Sequence, residues 1–246
     1  MDELLKIIGM FWTVLIDYDG TLHDADLAIE EALDGILGLR GDELYRIYLY
    51  DVHRGIVHRY YPERHDDLMF HCALIFKHLE RPFDGSAAAL FCRKLREAEE
   101  RGWRDPIYFD DVIPALKAMK MGGLRLFLST GRDAEEKAAA VERYAGTRLF
   151  EGVFSEPSIG HLKSEPEYYL AALRRSGSRA EEAVSIGDSP MTDIGPAKAV
   201  GITTIWVNRR EEPSPSLDEL KPTYETRDLL EAARLLTGSA AQDTTH

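Results

Sequence analysis

The sequence predicts an α/β protein, a doubly wound parallel sheet interrupted by an all-helical insertion. Three observations point there. Short unbroken apolar runs, rich in β-branched and aromatic residues, stand at Phe11–Ile16, Leu124–Leu128, Ala183–Ile186 and Ile202–Val207, each followed closely by Gly, Asp, Ser or Asn. Runs of that length without polar alternation are what strands buried on both faces of a parallel sheet require. Helical patterns separate the later runs, and strand–helix–strand alternation marks a parallel sheet. Between His23 and about Phe109 the chain instead shows helical patterns and no clear strand.

The first run stops at Asp17. Beyond it, helical patterns fall around residues 27–37, 43–59, 66–79 and 86–100. Val112, Ala115, Leu116 and Met119 follow the i, i+3, i+4, i+7 rule. Ala134–Tyr144 is rich in Ala and Glu, and Asp133 followed by Glu136 reads as a capping box that starts this helix. A further helix over Pro166–Arg175 leads into the third run. The expected division is a catalytic core of residues 1–22 and 110–246 and a helical cap of residues 23–109. An insertion that begins just after the first strand departs from the ligand crevice of a parallel sheet, so it is expected to cover the site. Glu211–Pro222 reads as an exposed proline-bearing loop, and the polar tail from Gly238 as frayed.

Composition narrows the function classes. With 246 residues, 44% of them hydrophobic, the chain can bury one generous core or a core plus a smaller domain. The formal charge of −13 disfavours nucleic acid and anionic membrane, which need a basic footprint. A small phosphorylated ligand stays open, because a metal and a few local donors can invert the sign inside a cleft. Cys72 and Cys92 have no CxxC spacing, which argues against a disulfide framework or a thiolate zinc site and for a reducing, cytoplasmic setting. The opening MDELLKIIGMFWTVLIDYDG carries acidic residues and breaks at Asp17, so neither a secretory signal nor a membrane span is expected, and the protein reads as soluble. No Walker A, GxGxxG or GxSxG pattern is present, and no two histidines of residues 53–78 have the i, i+4 spacing of a helical zinc site. The basic and aromatic residues Arg54, His58, Arg59, Tyr60, Tyr61, Arg64 and His65 read as a solvated helix face.

The chemistry-bearing residues stand where predicted strands end. Asp17-Tyr18-Asp19-Gly20-Thr21 puts two carboxylates two residues apart at the tip of the first strand. A carboxylate can attack phosphorus when a cation screens its repulsion from the phosphate, and a second carboxyl can protonate the leaving oxygen and then activate water. Ser129-Thr130-Gly131-Arg132 follows the second run, where a hydroxyl and backbone N–H groups at a helix N-terminus are expected to offer a phosphoryl oxygen an anion site. Lys163, in HLKSEPEYY, precedes a helix, and Gly187-Asp188-Ser189-Pro190-Met191-Thr192-Asp193 brings two more carboxylates to the third run's end. Hard oxygen ligands from two strand tips suit Mg²⁺.

These four motifs, in this order, resemble the haloacid dehalogenase superfamily of phosphohydrolases, over about residues 11–22 and 110–236. The resemblance implies a Rossmann-like core with a helical cap of C1 type inserted after the first motif. It implies Asp17 as the nucleophile and Asp19 as the acid/base, with Ser129 binding the transferring phosphoryl group and Lys163 screening its charge. The implied Mg²⁺ set is Asp17, Asp19, Asp188 and Asp193, with Asp19 contributing its backbone carbonyl and Asp193 supporting from behind. The implied substrate-binding set is Gly20, Thr21, Thr130, Gly131 and Arg132. Two departures stand out: Lys163-Ser164-Glu165-Pro166 where many relatives carry Lys-Pro-Asp-Pro, and Gly195-Pro196 at the start of the last motif's helix.

The expected function is Mg²⁺-dependent hydrolysis of a small-molecule phosphate monoester through an aspartyl-phosphate, by a monomer or homodimer. A phosphomutase of sugar phosphates and a 2-haloacid dehalogenase-like hydrolase are the enzymatic alternatives, and a non-catalytic phosphate-binding module is the third. The dehalogenating branch resembles this chain less, because an aromatic residue stands there in place of Asp19. An alkoxide leaving group needs a proton, and a halide does not.

Overall fold

The computed structural model describes residues 13–64 and 66–238. Phe11 and Trp12 of the first apolar run, His65, and the tail after Gly238 lie outside the described residues. Six parallel strands form one sheet in the order β3-β2-β1-β4-β5-β6: β1 Thr13–Ile16, β2 Arg125–Thr130, β3 Phe150–Ser155, β4 Ala183–Gly187, β5 Thr203–Val207 and β6 Tyr224–Thr226.

Strand alternation divides the core into two layers. Val14, Ile16, Leu126, Leu128, Val184 and Ile186 pack on one face with Leu116 and Met119 of the helix Val112–Met121 and Leu229 and Leu236 of the helix Leu229–Thr237. Leu15 and Phe127 point the other way, against Tyr168, Tyr169 and Ala172 of the helix Pro166–Ser176. Both faces of the central strands are therefore covered, which explains the absence of polar alternation in their sequences. The chain winds outward in both directions from β1, so the order reverses between β1 and β4, and the tips of those strands border the crevice.

Four of the six strands coincide with the expected apolar runs; β3 and β6 do not. Both are edge strands. In β3 an exposed Glu151 and a half-buried Gly152 break the apolar run, and β6 is the three-residue Tyr-Glu-Thr. The capping box expected at Asp133 is also absent. Asp133 adopts a left-handed backbone (φ 54°) instead of the extended geometry an N-cap uses, and its side chain accepts no helix N–H. The helix Ala134–Ala145 forms nonetheless. Pro196 sits in the first turn of the helix Gly195–Ala199, where its missing N–H is not required.

The chain divides into two compact units, residues up to His23 together with Tyr108 onward, and Asp24–Ile107. The second is helical: Ala25–Leu33, Gly41–Arg46, the π-helical stretch Ile47–Val57, Leu68–His78 and Gly85–Arg104. Asp24, Asp67 and Asp84 cap three of these helices by accepting N–H groups of the first turn. Leu33, Leu44, Val52, Ile75, Phe91 and Leu95 form the unit's own core. Tyr60 and Tyr61 are exposed, and Arg64 pairs with Asp67 at 2.7 Å, as a solvated face requires. Among the described residues no helix is long and apolar enough to cross a membrane.

Leu95 is fully buried in the longest helix of this unit. Leu95→Ala removes packing that the surrounding helices cannot refill, and should lower stability by about 2–5 kcal/mol. A urea or thermal unfolding transition checks it; a change below about 1 kcal/mol would show that the helical core does not depend on this side chain.

Candidate active site

Asp17 is the first residue beyond β1, and its N–H still donates to the Ile186 carbonyl of β4 at 2.9 Å. The chain then turns on itself: the N–H groups of Leu22 and His23 both donate to the Tyr18 carbonyl, at 2.8 and 2.9 Å. Gly20 makes the turn possible, with φ at +79°. A Cβ there would also lie 2.5 Å from Asp188 Oδ2, so only glycine lets the loop after β1 touch the loop after β4. Behind the turn, Arg209 donates to the Thr21 carbonyl and pairs through two bonds of 2.9 Å with Asp111.

Asp188 and Asp193 follow β4. Trp206 Nε1 donates to the Asp188 carbonyl at 2.8 Å and fixes the start of this loop. The Ser189 N–H donates to Asp193 Oδ2 at 2.9 Å, and Gly187 leaves the space that Asp193 fills, since a Cβ there would stand 2.2 Å from the Asp193 carboxyl carbon. Lys163 reaches in from the turn before Pro166–Ser176. Its ammonium bonds the Asp17 carboxylate and lies 2.6 Å from Asp193 Oδ1, and all three side chains are buried. Burial works against the Lys163 ammonium, but Asp17 and Asp193 more than offset it and hold its pKa well above the ordinary value. Burial pushes the Asp17 carboxyl up to about 7; Lys163 opposes the shift, and Asp193 and Asp19 add to it.

One carboxylate oxygen each from Asp17, Asp188 and Asp193 can be chosen so that all three lie within 4.8 Å of one another. Three hard oxygen donors that close together fit a divalent cation such as Mg²⁺. The charge agrees: Asp17, Asp188 and Asp193 gather three carboxyl groups around one ammonium, that of Lys163, which leaves room for the charge of a divalent ion. A cation among them would return Asp17 to its ionised form.

The other expected residues are distributed less simply. Ser129 and Thr130 are the last residues of β2 and do not stand at a helix N-terminus. Ser129 Oγ lies 3.1 Å from the Tyr168 hydroxyl, which also donates to the Phe154 carbonyl at 3.0 Å. Gly131 accepts the Glu156 N–H at 3.0 Å, and Arg132 is exposed. Asp19 is outside the three-carboxylate group. Its Oδ2 accepts from Lys137 Nζ at 2.7 Å and its Oδ1 lies 3.1 Å from His23 Nδ1. Partial desolvation pushes the half-exposed Asp19 carboxyl up, but the His23 hydrogen bond and the Lys137 ammonium outweigh it and hold the pKa below its ordinary value.

Lys137, His23 and Tyr168 did not stand out in the sequence. Lys137 had a readable signal: Ala134, Lys137, Ala138 and Val141 form the buried i, i+3, i+4, i+7 stripe of their helix, and a lysine on such a stripe must meet an anion. His23 and Tyr168 had none, since their partners are reached only through the folded turn and the crossover.

A family model described as a haloacid dehalogenase-like hydrolase matches residues 13–201, well over half the chain. The chain belongs to this family. Among curated haloacid dehalogenase-like relatives, it is 31% identical to a glyceraldehyde 3-phosphate phosphatase of Methanopyrus kandleri over 133 residues, covering 52% of this chain and 57% of that one. It is 29% identical to a phosphoserine phosphatase of Thermus thermophilus over 142 residues (56% and 55%) and 29% identical to a phosphoglycolate phosphatase of Mesorhizobium japonicum over 100 residues (41% and 44%). The chain thus spans about half the length of the curated relatives it matches. The fold extends further. The haloacid dehalogenase-like hydrolase YfnB of Bacillus subtilis, solved bound to magnesium, superposes with a TM-score of 0.67 at 23% identity, over 92% of this chain and 98% of that one. A phosphatase of the family from Thermococcus onnurineus gives 0.57 at 24% identity, over 94% and 100%.

Gly20→Ala forces a left-handed backbone on a side-chain-bearing residue, at a cost of roughly 1–2 kcal/mol, and drives its methyl into Asp188. If the three carboxylates hold a divalent cation, its affinity should fall by about tenfold or more, as it should in Asp188→Asn. Calorimetric titration of each variant with MgCl₂ reads this; wild-type affinity in both would remove Asp188 from the cation site.

Proposed function

We propose that this protein is a Mg²⁺-dependent phosphatase that hydrolyses a small phosphorylated metabolite through an aspartyl-phosphate on Asp17. The observation that carries the reading is the convergence of Asp17, Lys163, Asp188 and Asp193 at the tips of β1 and β4. Asp17 has one face against an ammonium and shares a potential cation site with two further carboxylates, the setting a carboxylate needs to approach a phosphate dianion. The phosphatase names of the relatives support the same reaction class, and so does the presence of Asp19, which a halide leaving group would not need.

Asp17, Asp188 and Asp193, with the Asp19 backbone carbonyl, would hold the Mg²⁺, whose charge would offset that of the phosphoryl group. The remaining work belongs to side chains of this chain. A carboxylate oxygen of Asp17 attacks phosphorus; the bond to the ester oxygen breaks, and the Asp19 carboxyl supplies that oxygen with its proton. Asp19, now ionised, takes a proton from water as the water oxygen attacks phosphorus, which releases inorganic phosphate and regenerates Asp17. Lys163 stays protonated and screens the charge gathered on Asp17 and the phosphoryl oxygens. Ser129, held by Tyr168 at the tip of β2, and the loop residues Gly20, Thr21, Thr130, Gly131 and Arg132 surround the phosphoryl group. The buried free thiols of Cys72 and Cys92, which hydrogen-bond at 3.7 Å, suit a reducing, cytoplasmic setting.

Release of phosphate from 4-nitrophenyl phosphate should require Mg²⁺ and stop on chelation with EDTA. Asp17→Asn keeps the shape of the side chain and removes the nucleophile, so its rate should drop by at least about a thousandfold. Activity persisting in that variant would exclude the covalent route.

A further inference from the structure

We infer that Lys137 is a positioning residue for the proton-transfer group: its ammonium, together with His23, holds the Asp19 carboxyl group in one orientation at the tip of the sheet. This rests on the reading of Asp19 as the acid/base. Lys137 is the fourth residue of the helix Ala134–Ala145, on the face that carries Ala134, Ala138 and Val141 into the core, and only 5% of its side chain is exposed. Burying an ammonium is costly unless an anion meets it. Here its Nζ lies 2.7 Å from Asp19 Oδ2 and 3.0 Å from Thr130 Oγ1, and 4.8 Å from the centre of the Tyr18 ring. The hydroxyl and the ring limit where the ammonium can sit, so it is a fixed point.

Asp19 needs such a point. Its side chain is about half exposed (48%), and it lies outside the carboxylate group that the cation would order. With Lys137 on one oxygen and His23 Nδ1 at 3.1 Å from the other, rotation about both side-chain torsions is restricted from two directions. A proton donor fixed in place before the substrate arrives loses less entropy at the transition state. The proton delivered to the leaving oxygen comes from Asp19 and is returned to it by water, so Lys137 and His23 finish the cycle as they began it.

The positioning role is separable from a merely structural one through the leaving group. Phenyl phosphate releases a basic oxygen that needs a proton, whereas 4-nitrophenyl phosphate releases a weakly basic one that does not. The ratio of kcat/KM for the two esters reports acid assistance in the first step and is independent of the fraction of enzyme folded. Lys137→Met should lower this ratio (phenyl over nitrophenyl) by about tenfold or more, and Lys137→Arg should restore part of it. If Lys137→Met yields too little folded protein to assay, Lys137→Gln gives the same ratio from a polar replacement. An unchanged ratio in the variants, with both esters slowed alike, overturns the inference while leaving the phosphatase reading intact. A wild-type protein that releases phosphate from neither ester in Mg²⁺ overturns that reading and the inference with it.

Discussion

Crowding of negative charge at the end of one parallel sheet is the constraint on which the rest of this structure depends. Asp17 and Asp193 are buried, with Asp188 close enough to share an ion with both. Desolvated carboxylates a few ångströms apart cannot all ionise unless cations enter with them. Lys163 meets that demand from one side by binding Asp17 and Asp193 together. Oxygen donors so arranged are suited to a small divalent ion. The site is therefore held together by the same electrostatics that would allow a phosphate to enter it.

The sheet supplies the geometry that such charge needs. Parallel strands end on one side, and the reversal of order between β1 and β4 opens a crevice between the loops that leave them. Close approach then depends on missing atoms: Gly20 and Gly187 bring backbone within contact of Asp188 and Asp193, where a single added carbon would collide. The packing behind the crevice is equally specific. Tyr168 and Tyr169 of one helix bury their rings beneath β1 and β2 and direct their hydroxyls to Ser129 and to the Thr192 carbonyl, so the core layer also sets the positions of loop atoms.

Much of this was legible in the residues alone, and the exceptions have physical causes. Strands buried on both faces announce themselves through apolar runs, so β1, β2, β4 and β5 were readable, whereas β3 and β6 borrow half their environment from solvent and carry Glu, Gly and Thr accordingly. The motif residues that converge on Asp17 were readable because each stands just after a strand or before a helix. Interactions that cross from one motif to another were not. Nothing local in DGTLH tells that His23 returns to Asp19, and the pairing of Lys137 with Asp19 spans 118 residues of sequence. The Asp133–Glu136 pattern failed for the opposite reason: the local signal was present, but a left-handed residue at the strand-to-helix turn took the side chain out of capping range.

The two buried lysines divide this electrostatic work. A single ammonium placed between Asp17 and Asp19 would couple the two carboxyl groups, so that a change of charge on one would be felt directly by the other through a shared partner. Lys163 instead faces Asp17 and Asp193, and Lys137 faces Asp19 and Thr130, with no partner in common among these contacts. Each of the two carboxyl groups thus has an ammonium of its own. Separation of that kind requires two helices, one on each side of β1, each placing a lysine at its entry or in its first turns. A doubly wound sheet provides them: the crossover from β2 to β3, running outward from β1, packs on one face, and the crossover that returns from β3 to β4 packs on the other. The fold thus contributes more than a platform for the motifs: it supplies two independent directions from which positive charge can reach one crowded strand tip.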